Sequence, residues 1–234
     1  MSTPPRTVSA RPRAVAQKPE TSRARIRRTP EGQSTEWLLR AFALLACSLA
    51  VGRLAAAWWL DTTRWTLLLL LITESCTLVL VLMARRAKVR DLSPSAIAAT
   101  LYAALCFVLL DPAGTVRLVP EQVGVLLLLC GAAWQFGAKL VLGRSFGLLP
   151  AQRGLVTSGP YRVMRHPIYC GYLISHIGFL LVNASCWNFA VLSVLCAAQL
   201  VRIRREEALL ADSRDAQYNR YRCQVRWHVL PFVY

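Results

Sequence analysis

Two polar stretches of this 234-residue sequence contain the side chains best suited to bind a charged ligand. Residues 154–172 include an Arg-His-Pro triplet between tyrosines, and residues 202–207 read Arg-Ile-Arg-Arg-Glu-Glu. Arg202 and Glu206 are four residues apart, so on a helix they share one face and could hold two ligands side by side. The same residues also fit a structural interpretation, in which basic side chains anchor helix ends and Arg202 simply pairs with Glu206.

Long apolar runs separate these stretches and predict an integral membrane protein. Hydrophobic residues make up 55% of the chain and charged residues 17%, which is too apolar for a soluble domain of this size. A bilayer core of about 30 Å is crossed by roughly 20 helical residues. The runs predict an all-α, polytopic bundle of about six membrane-spanning helices, at about 36–60, 65–83, 94–110 and 122–142, and in a hairpin over 168–203 that turns at 183–188.

The basic residues lie between the apolar runs and predict the orientation of the chain. One side holds eight Arg and Lys in residues 1–34, four in 85–90, four in 143–167 and seven in 202–234, and the other side holds only Arg64 and Arg117. By the positive-inside rule, both termini and both polar stretches are predicted to be cytosolic. The net charge of +16 therefore reflects topology rather than nucleic-acid binding, because no basic face with interleaved exposed aromatics is evident.

The N-terminal tail and the cysteines are predicted to carry no chemistry. Residues 1–34 contain five prolines and few large apolar residues, so they are predicted to be disordered. The tail would hold the N-terminus in the cytosol or dock on anionic membrane lipids, and an organellar transit peptide is a third interpretation. The eight cysteines lie mostly inside apolar runs without a C-x-x-C pair, and they predict neither disulfides nor a metal site.

The two polar stretches resemble the isoprenylcysteine carboxyl methyltransferase family. Its signature, G-x-Y-x-x-x-R-H-P-x-Y-x-G followed by a helical hairpin and a Glu-Glu pair, is present from Gly159 to Glu207. The resemblance covers residues 143–234 and includes the tail pattern of Tyr218, Tyr221 and Leu230-Pro231-Phe232. The sequence departs from the family at Asp212-Ser213, where a Phe-Gly pair is common, and in a shorter loop ahead of Leu155.

The resemblance implies a site for S-adenosylmethionine on the cytosolic side of the C-terminal half. It implies three regions: a tail (1–34), a four-helix membrane region (35–142) and a catalytic core (143–234) that ends in an amphipathic segment. Arg202 is then expected to bind the acceptor, and Arg202 and Glu206 are the expected catalytic residues. The residues expected to contact the cofactor are Arg153, Gly154, Leu155, Val156, Tyr161, His166, Pro167, Ile168, Tyr169, Glu206 and Glu207.

The reaction implied by the resemblance is methyl transfer to a carboxylate of a lipophilic, isoprenylcysteine-like acceptor that enters from the bilayer. A carboxylate is already ionised at neutral pH and needs no general base. An amine acceptor, as in a phospholipid N-methyltransferase, would need one, and the candidates are Glu207, His176 and His166. Two further interpretations are a sterol-type membrane reductase, which uses a nicotinamide cofactor, and a non-catalytic membrane scaffold. The sequence leaves the oligomeric state open.

Four further polar residues lie inside predicted membrane helices, where such side chains are costly. They are Arg53, Glu74, Lys139 and His176. Arg53 and Lys139 can extend toward the membrane surface, and Glu74 is expected to pair with one of them. His176 is interpreted as a packed, hydrogen-bonded residue rather than as a ligand.

Overall fold

The computed structural model describes residues 32–83, 89–112, 115–143, 151–152, 155–212 and 216–230. Within these residues the chain is helical, as the apolar runs predicted. The α-helices are α1 (Gly32–Leu60), α2 (Trp65–Met83), α3 (Pro94–Leu109), α4 (Glu121–Leu142), α5 (Pro167–Val182), α6 (Cys186–Asp212) and α7 (Ala216–Gln224), with a 3-10 helix at Gly159–Arg162. Two short strands, β1 (Val89–Arg90) and β2 (Ala151–Gln152), pair antiparallel. Nearly all of the predicted tail lies outside the described residues.

Each predicted membrane span coincides with a helix, but the helices fall into two classes of length. Among the described residues, three segments are long and apolar enough to cross a bilayer: Trp37–Leu60, Glu121–Leu142 and Cys186–Ala211. The segments Trp65–Leu80, Pro94–Leu109 and Pro167–Val182 are apolar but shorter. A helix of 16 residues rises about 24 Å, which is less than the hydrocarbon core. Six crossings therefore stay a prediction.

The outer surface of the bundle is apolar. Large hydrophobic side chains such as Leu45, Leu126 and Phe189 are more than 60% exposed on α1, α4 and α6. The buried core between the helices includes Leu67, Leu128, Phe179 and Leu195, one each from α2, α4, α5 and α6. A helix that is apolar on both its inward and outward faces is suited to lipid rather than to water.

Glycines bring α4 and α5 into close contact. A Cβ atom on Gly131 would collide with Ser175 Oγ and lie 2.6 Å from the Gly171 carbonyl oxygen. A Cβ on Gly171 would lie 2.7 Å from the Gly131 carbonyl oxygen. Only a residue without a side chain permits this approach, which is typical of helix packing in membranes. The hairpin partners α5 and α6 have different main neighbours, since α5 packs on α4 and α6 packs on α3.

Polar contacts at the two ends of the bundle fix α6. At one end, the Asn188 side chain accepts from the Asp111 backbone N–H at 2.9 Å and donates to the carbonyl oxygens of Asp111 and Asn183. At the other end, Arg205 Nη2 donates to Ser95 Oγ at 2.7 Å, and its Nε lies 3.8 Å from the Asp91 carboxylate. The charged end of α6 is thereby tied to the chain that leads into α3.

Candidate functional site

The Arg-His-Pro triplet lies at the beginning of α5, where it directs the His166 side chain away from the helix. Pro167 occupies the first helical position, which suits its missing N–H and fixed φ. His166 is the N-cap residue, but its side chain makes no capping hydrogen bond to the helix. Its ring is therefore available to the two glutamates of α6.

Three cationic or potentially cationic side chains contact the carboxylate of Glu207. Arg165 Nη1 donates to both carboxylate oxygens, at 2.7 and 2.9 Å. His166 Nε2 lies 3.2 Å from Oε1, and His228 Nε2 lies 3.4 Å from Oε2. Protein groups thus surround this carboxylate. Its geometry suits a residue that holds Arg165 and His166 in place, and the cofactor contact of Glu207 stays a prediction.

The C-terminal segment, residues 225–230, is joined to the triplet by backbone contacts. The N–H groups of Arg165 and His166 donate to the carbonyl oxygens of Trp227 and His228, at 2.9 and 2.7 Å. The Arg165 side chain also donates to the carbonyl oxygens of Val225 and Arg226. Arg165 therefore links three parts of the chain: the start of α5, the end of α6 and the C-terminal segment.

Glu206 has a more open carboxylate than Glu207. Tyr169 donates its hydroxyl hydrogen to Glu206 Oε1 at 2.7 Å. Oε2 lies 3.7 Å from His166 Nδ1, beyond hydrogen-bond distance, and 26% of the side chain is exposed. One oxygen of Glu206 is thus oriented by Tyr169, while the other faces His166 with room to accept a further hydrogen bond.

Arg202 contacts the ring of the same tyrosine. Its guanidinium carbon is 5.6 Å from the centroid of the Tyr169 ring, a cation–π distance. Arg202 precedes Glu206 by one helical turn, and both contact Tyr169, so the expected acceptor residue and the expected cofactor residue do lie side by side.

Tyrosines and aliphatic residues close one side of this site. Tyr161 is buried against Ala138 and Ile168, with Val156 beside them, and its carbonyl oxygen accepts from the Tyr221 hydroxyl at 2.8 Å. Burial raises the pKa of Tyr161, and the nearby charge of Glu206 raises it further. Burial likewise raises the pKa of Tyr221 to about 12. Both phenols are therefore neutral at physiological pH and do not act as bases.

A left-handed glycine lets the chain turn into the Tyr161 segment. Gly159 has φ of +58°, a conformation that other L-residues rarely adopt, and it begins the 3-10 helix that carries Tyr161. Leu155 packs in the cluster of Tyr218, Tyr221 and Val225, which joins this loop to α7. The glycine that begins the G-x-Y motif is therefore required by the local backbone conformation.

His228 adds a second imidazole to the site. Burial lowers the pKa of His228, and the charges of Arg165 and His166 act in the same direction, whereas Glu207 opposes them. Sequence reasoning did not select His228, Tyr221 or Arg165 as site residues. Arg165 could have been selected, because it belongs to the Arg-His-Pro triplet; His228 is distant in the sequence and gives no such signal.

The structure brings together most of the expected site residues. Those that lie in or against the site are Leu155, Val156, Tyr161, His166, Pro167, Ile168, Tyr169, Arg202, Glu206 and Glu207. Arg153 and Gly154 lie outside the described residues. His176, a candidate base for an amine acceptor, lies ten residues along α5, inside the bundle.

Comparisons with known proteins agree on the class of this region. Residues 120–213 match the family model described as phospholipid methyltransferase. Over 118 residues, the chain is 39% identical to protein-S-isoprenylcysteine O-methyltransferase A of Arabidopsis thaliana. That alignment covers 47% of this chain and 58% of the plant protein, so the chain spans less than two thirds of the length of its relative. Both matches are to methyltransferases, and the match to the family model lies in the C-terminal half of the chain, which contains the sequence motifs.

Proposed function

We propose, from the match of residues 120–213 to the phospholipid methyltransferase family model, a function for this chain. It would be an S-adenosylmethionine-dependent methyltransferase of the membrane. Its acceptor would be a carboxylate on a lipophilic, isoprenylcysteine-like molecule. The observation that carries the proposal is the contact of both Glu206 and Arg202 with Tyr169, Glu206 at 2.7 Å from its hydroxyl and Arg202 at 5.6 Å from its ring centroid. A site for a cationic donor and a site for an anionic acceptor then adjoin.

The residues present fit a donor that has an amino acid end, a ribose and an adenine ring. The open oxygen of Glu206 would accept from the amino group or the ribose hydroxyls. His166, together with the positive end of the α5 dipole, would bind the carboxylate end. Tyr161, Val156 and Leu155 would form the apolar walls, with Arg153 and Gly154 completing the expected set. When bound, S-adenosylmethionine supplies the activated methyl group.

Arg202 would position the acceptor. Its partly buried guanidinium presents a fixed fork of donors that matches a carboxylate. Since the acceptor oxygen is already anionic, the residues need only align it with the methyl group and exclude water, and alignment of this kind can contribute on the order of 7 to 11 kcal/mol. No residue is then required to remove a proton.

Phospholipid N-methylation is the second candidate, because the matching family model carries that description. The permanent positive charge of Arg202 would repel an ammonium acceptor in its protonated, resting form, whereas it attracts a carboxylate. Two of the three candidate bases are poorly placed, since Glu207 is engaged by Arg165 and His166, and His176 lies inside the bundle; His166 is the base that this reaction would have to use. The charge of Arg202 therefore favours the carboxylate.

The proposed membrane arrangement places this site at the cytosolic surface. Six helices would cross the bilayer with both termini in the cytosol, since the positive-inside count supports an even number of crossings. The three shorter helices would then meet a locally thin bilayer or be extended by their flanking residues. The acceptor would reach Arg202 from the bilayer, because its lipophilic chain is most stable there.

Ligand-induced stabilisation tests the proposal. The protein in detergent should gain thermal stability from S-adenosylmethionine and S-adenosylhomocysteine but not from a reduced nicotinamide, since a ligand that binds only the folded state raises its stability. Methyl transfer should then occur to N-acetyl-S-farnesylcysteine and not to phosphatidylethanolamine. Stabilisation by the nicotinamide alone would contradict the proposal, and methylation of the phospholipid alone would favour the second candidate.

A further inference from the structure

An aromatic row on α5 runs from the proposed site into the interior of the bundle. His166, Tyr169, Tyr172 and His176 are spaced by three, three and four residues and so share one face. Successive ring centroids lie 5.9, 6.2 and 6.1 Å apart, and the last two rings are stacked with an interplanar angle of 4°. Tyr169 and His176 are seven residues apart, about 10 Å along the helix. The row thus connects the level of Arg202 with a point about 10 Å deeper.

His176 ends this row with an unsatisfied polar atom. The residue is 5% exposed, and its ring lies 6.0 Å from the ring of Phe107 on α3. Its Nδ1 has no hydrogen-bond partner among the described residues, contrary to the expectation of a hydrogen-bonded histidine. A buried polar atom without a partner is costly, and an ionisable residue inside a membrane helix usually has a function. If this position served only to fill space, phenylalanine would pack there without burying a polar atom.

The interior around Tyr172 is already polar. Lys139 is 1% exposed, its Nζ lies 4.9 Å from the Tyr172 ring centroid, and it donates to Thr77 and Gln135, both at 3.0 Å. Glu74, one turn before Thr77 on α2, is buried as well. Lys139, Thr77 and Gln135 satisfy one another, so they form a polar environment beside the row rather than an open binding site.

We infer that the deeper half of the row, Tyr172 and His176, lines the path of the acceptor's apolar chain and that His176 Nδ1 binds a hydroxyl group carried on that chain. The inference rests on the proposed transfer to a carboxylate at Arg202. A hydroxyl group can donate or accept, so it pairs with Nδ1 in either tautomer of the ring. A plain hydrocarbon chain would leave Nδ1 without a partner. The acceptor class is therefore a lipid acid with a hydroxyl group about 10 Å beyond the carboxylate.

The neighbouring residue provides a matched control. Ser175 Oγ is also buried without a hydrogen-bond partner among the described residues. It lies against α4, however, where a Cβ atom on Gly131 would collide with it. Helix packing closes this hydroxyl off from the row, so its removal should not alter recognition of the acceptor.

Binding of matched lipids tests the inference independently of turnover. Protein in detergent with S-adenosylhomocysteine is titrated with N-acetyl-S-farnesylcysteine and with analogues that carry one hydroxyl group on each isoprene unit in turn. One analogue should bind about tenfold more tightly than the plain compound, equivalent to about 1.4 kcal/mol. His176→Phe should abolish this preference, His176→Asn should retain part of it because an amide replaces Nδ1, and Ser175→Ala should retain all of it.

The outcomes separate this inference from the proposed reaction. Equal binding of all the compounds, binding of none, or a preference that survives in His176→Phe would overturn the role of His176. If the plain compound is methylated without any hydroxyl preference, the reaction stands and the inference falls. If the preference depends on His176 but no carboxylate is methylated, the path stands and the reaction falls.

Discussion

Arg165 Nη1 contacts both carboxylate oxygens of Glu207, at 2.7 and 2.9 Å, and this contact separates the roles of two adjacent glutamates. Consecutive residues on a helix point about 100° apart. Glu207 therefore faces the triplet and the C-terminal segment, whereas Glu206 faces Tyr169. The Glu207 carboxylate holds Arg165 in place, and the Glu206 carboxylate is the one that we propose binds the donor.

Substitution of each glutamate should have a different effect. Glu207→Gln removes the charge that holds Arg165, and loss of charged hydrogen bonds should reduce the free energy of unfolding by about 1.5–3 kcal/mol. Glu206→Gln should leave thermal stability nearly unchanged and weaken binding of S-adenosylhomocysteine at least tenfold. Thermal denaturation and titration calorimetry in detergent measure both. Equal loss of stability in the two variants would contradict this division.

Tyr169→Phe isolates the hydrogen bond that orients Glu206. The variant keeps the ring beneath Arg202 but loses the hydroxyl, so the Kd of S-adenosylhomocysteine should rise about three- to tenfold while acceptor KM changes little. Tyr102→Phe is the matched control, because the Tyr102 hydroxyl donates to the Val191 carbonyl oxygen at 2.9 Å, away from the site. A larger effect on the acceptor than on the donor would place Tyr169 in the acceptor site instead.

Arg202→Lys tests the acceptor role without removing the positive charge. Lysine loses the planar fork and the stacking on Tyr169, so acceptor KM should rise at least tenfold and kcat should fall, with donor Kd changed less than twofold. Steady-state kinetics with varied acceptor, together with donor titration, separates the two ligands. Loss of donor binding would show that Arg202 belongs to the donor site.

Acidification should destabilise the protein partly through His228. The unfolded imidazole titrates near pH 6.5, and burial holds the pKa of His228 below that value in the folded protein. Below about pH 6.5 the unfolded chain therefore binds a proton that the folded protein does not, and stability falls as the pH falls. His228→Gln should lose less thermal stability than the wild type between about pH 7.5 and pH 5.5. An identical loss in both proteins would refute this contribution.

The sequence predicted the helices well because long apolar runs leave a backbone in lipid little alternative to helix. It also predicted that Arg202 and Glu206 adjoin, since their spacing sets a common face. It could not predict which of the two glutamates is engaged by other protein groups. That depends on the C-terminal segment, whose His228 contacts Glu207 although the two are 21 residues apart in the sequence. Nor could it predict that His176 Nδ1 has no hydrogen-bond partner in the described part of the chain, because the spacing gives the stacking on Tyr172 but not the hydrogen bonds of the ring.

The close approach of α4 and α5 should make Gly131 intolerant of any side chain. In Gly131→Ala, the new Cβ atom would collide with Ser175 Oγ and lie 2.6 Å from the Gly171 carbonyl oxygen. The Ser175 side chain could rotate away, but the Gly171 carbonyl belongs to the backbone of α5 and could move only with the helix. Overpacking of this kind costs about 1–3 kcal/mol, and it would displace α5, which carries His166 and Tyr169. Gly137→Ala on the same helix has no atom of the described residues within 4 Å of its Cβ and should be neutral or stabilising by up to about 1 kcal/mol. Thermal denaturation of both variants in detergent decides the matter: equal stabilities would show that α4 and α5 do not pack through Gly131.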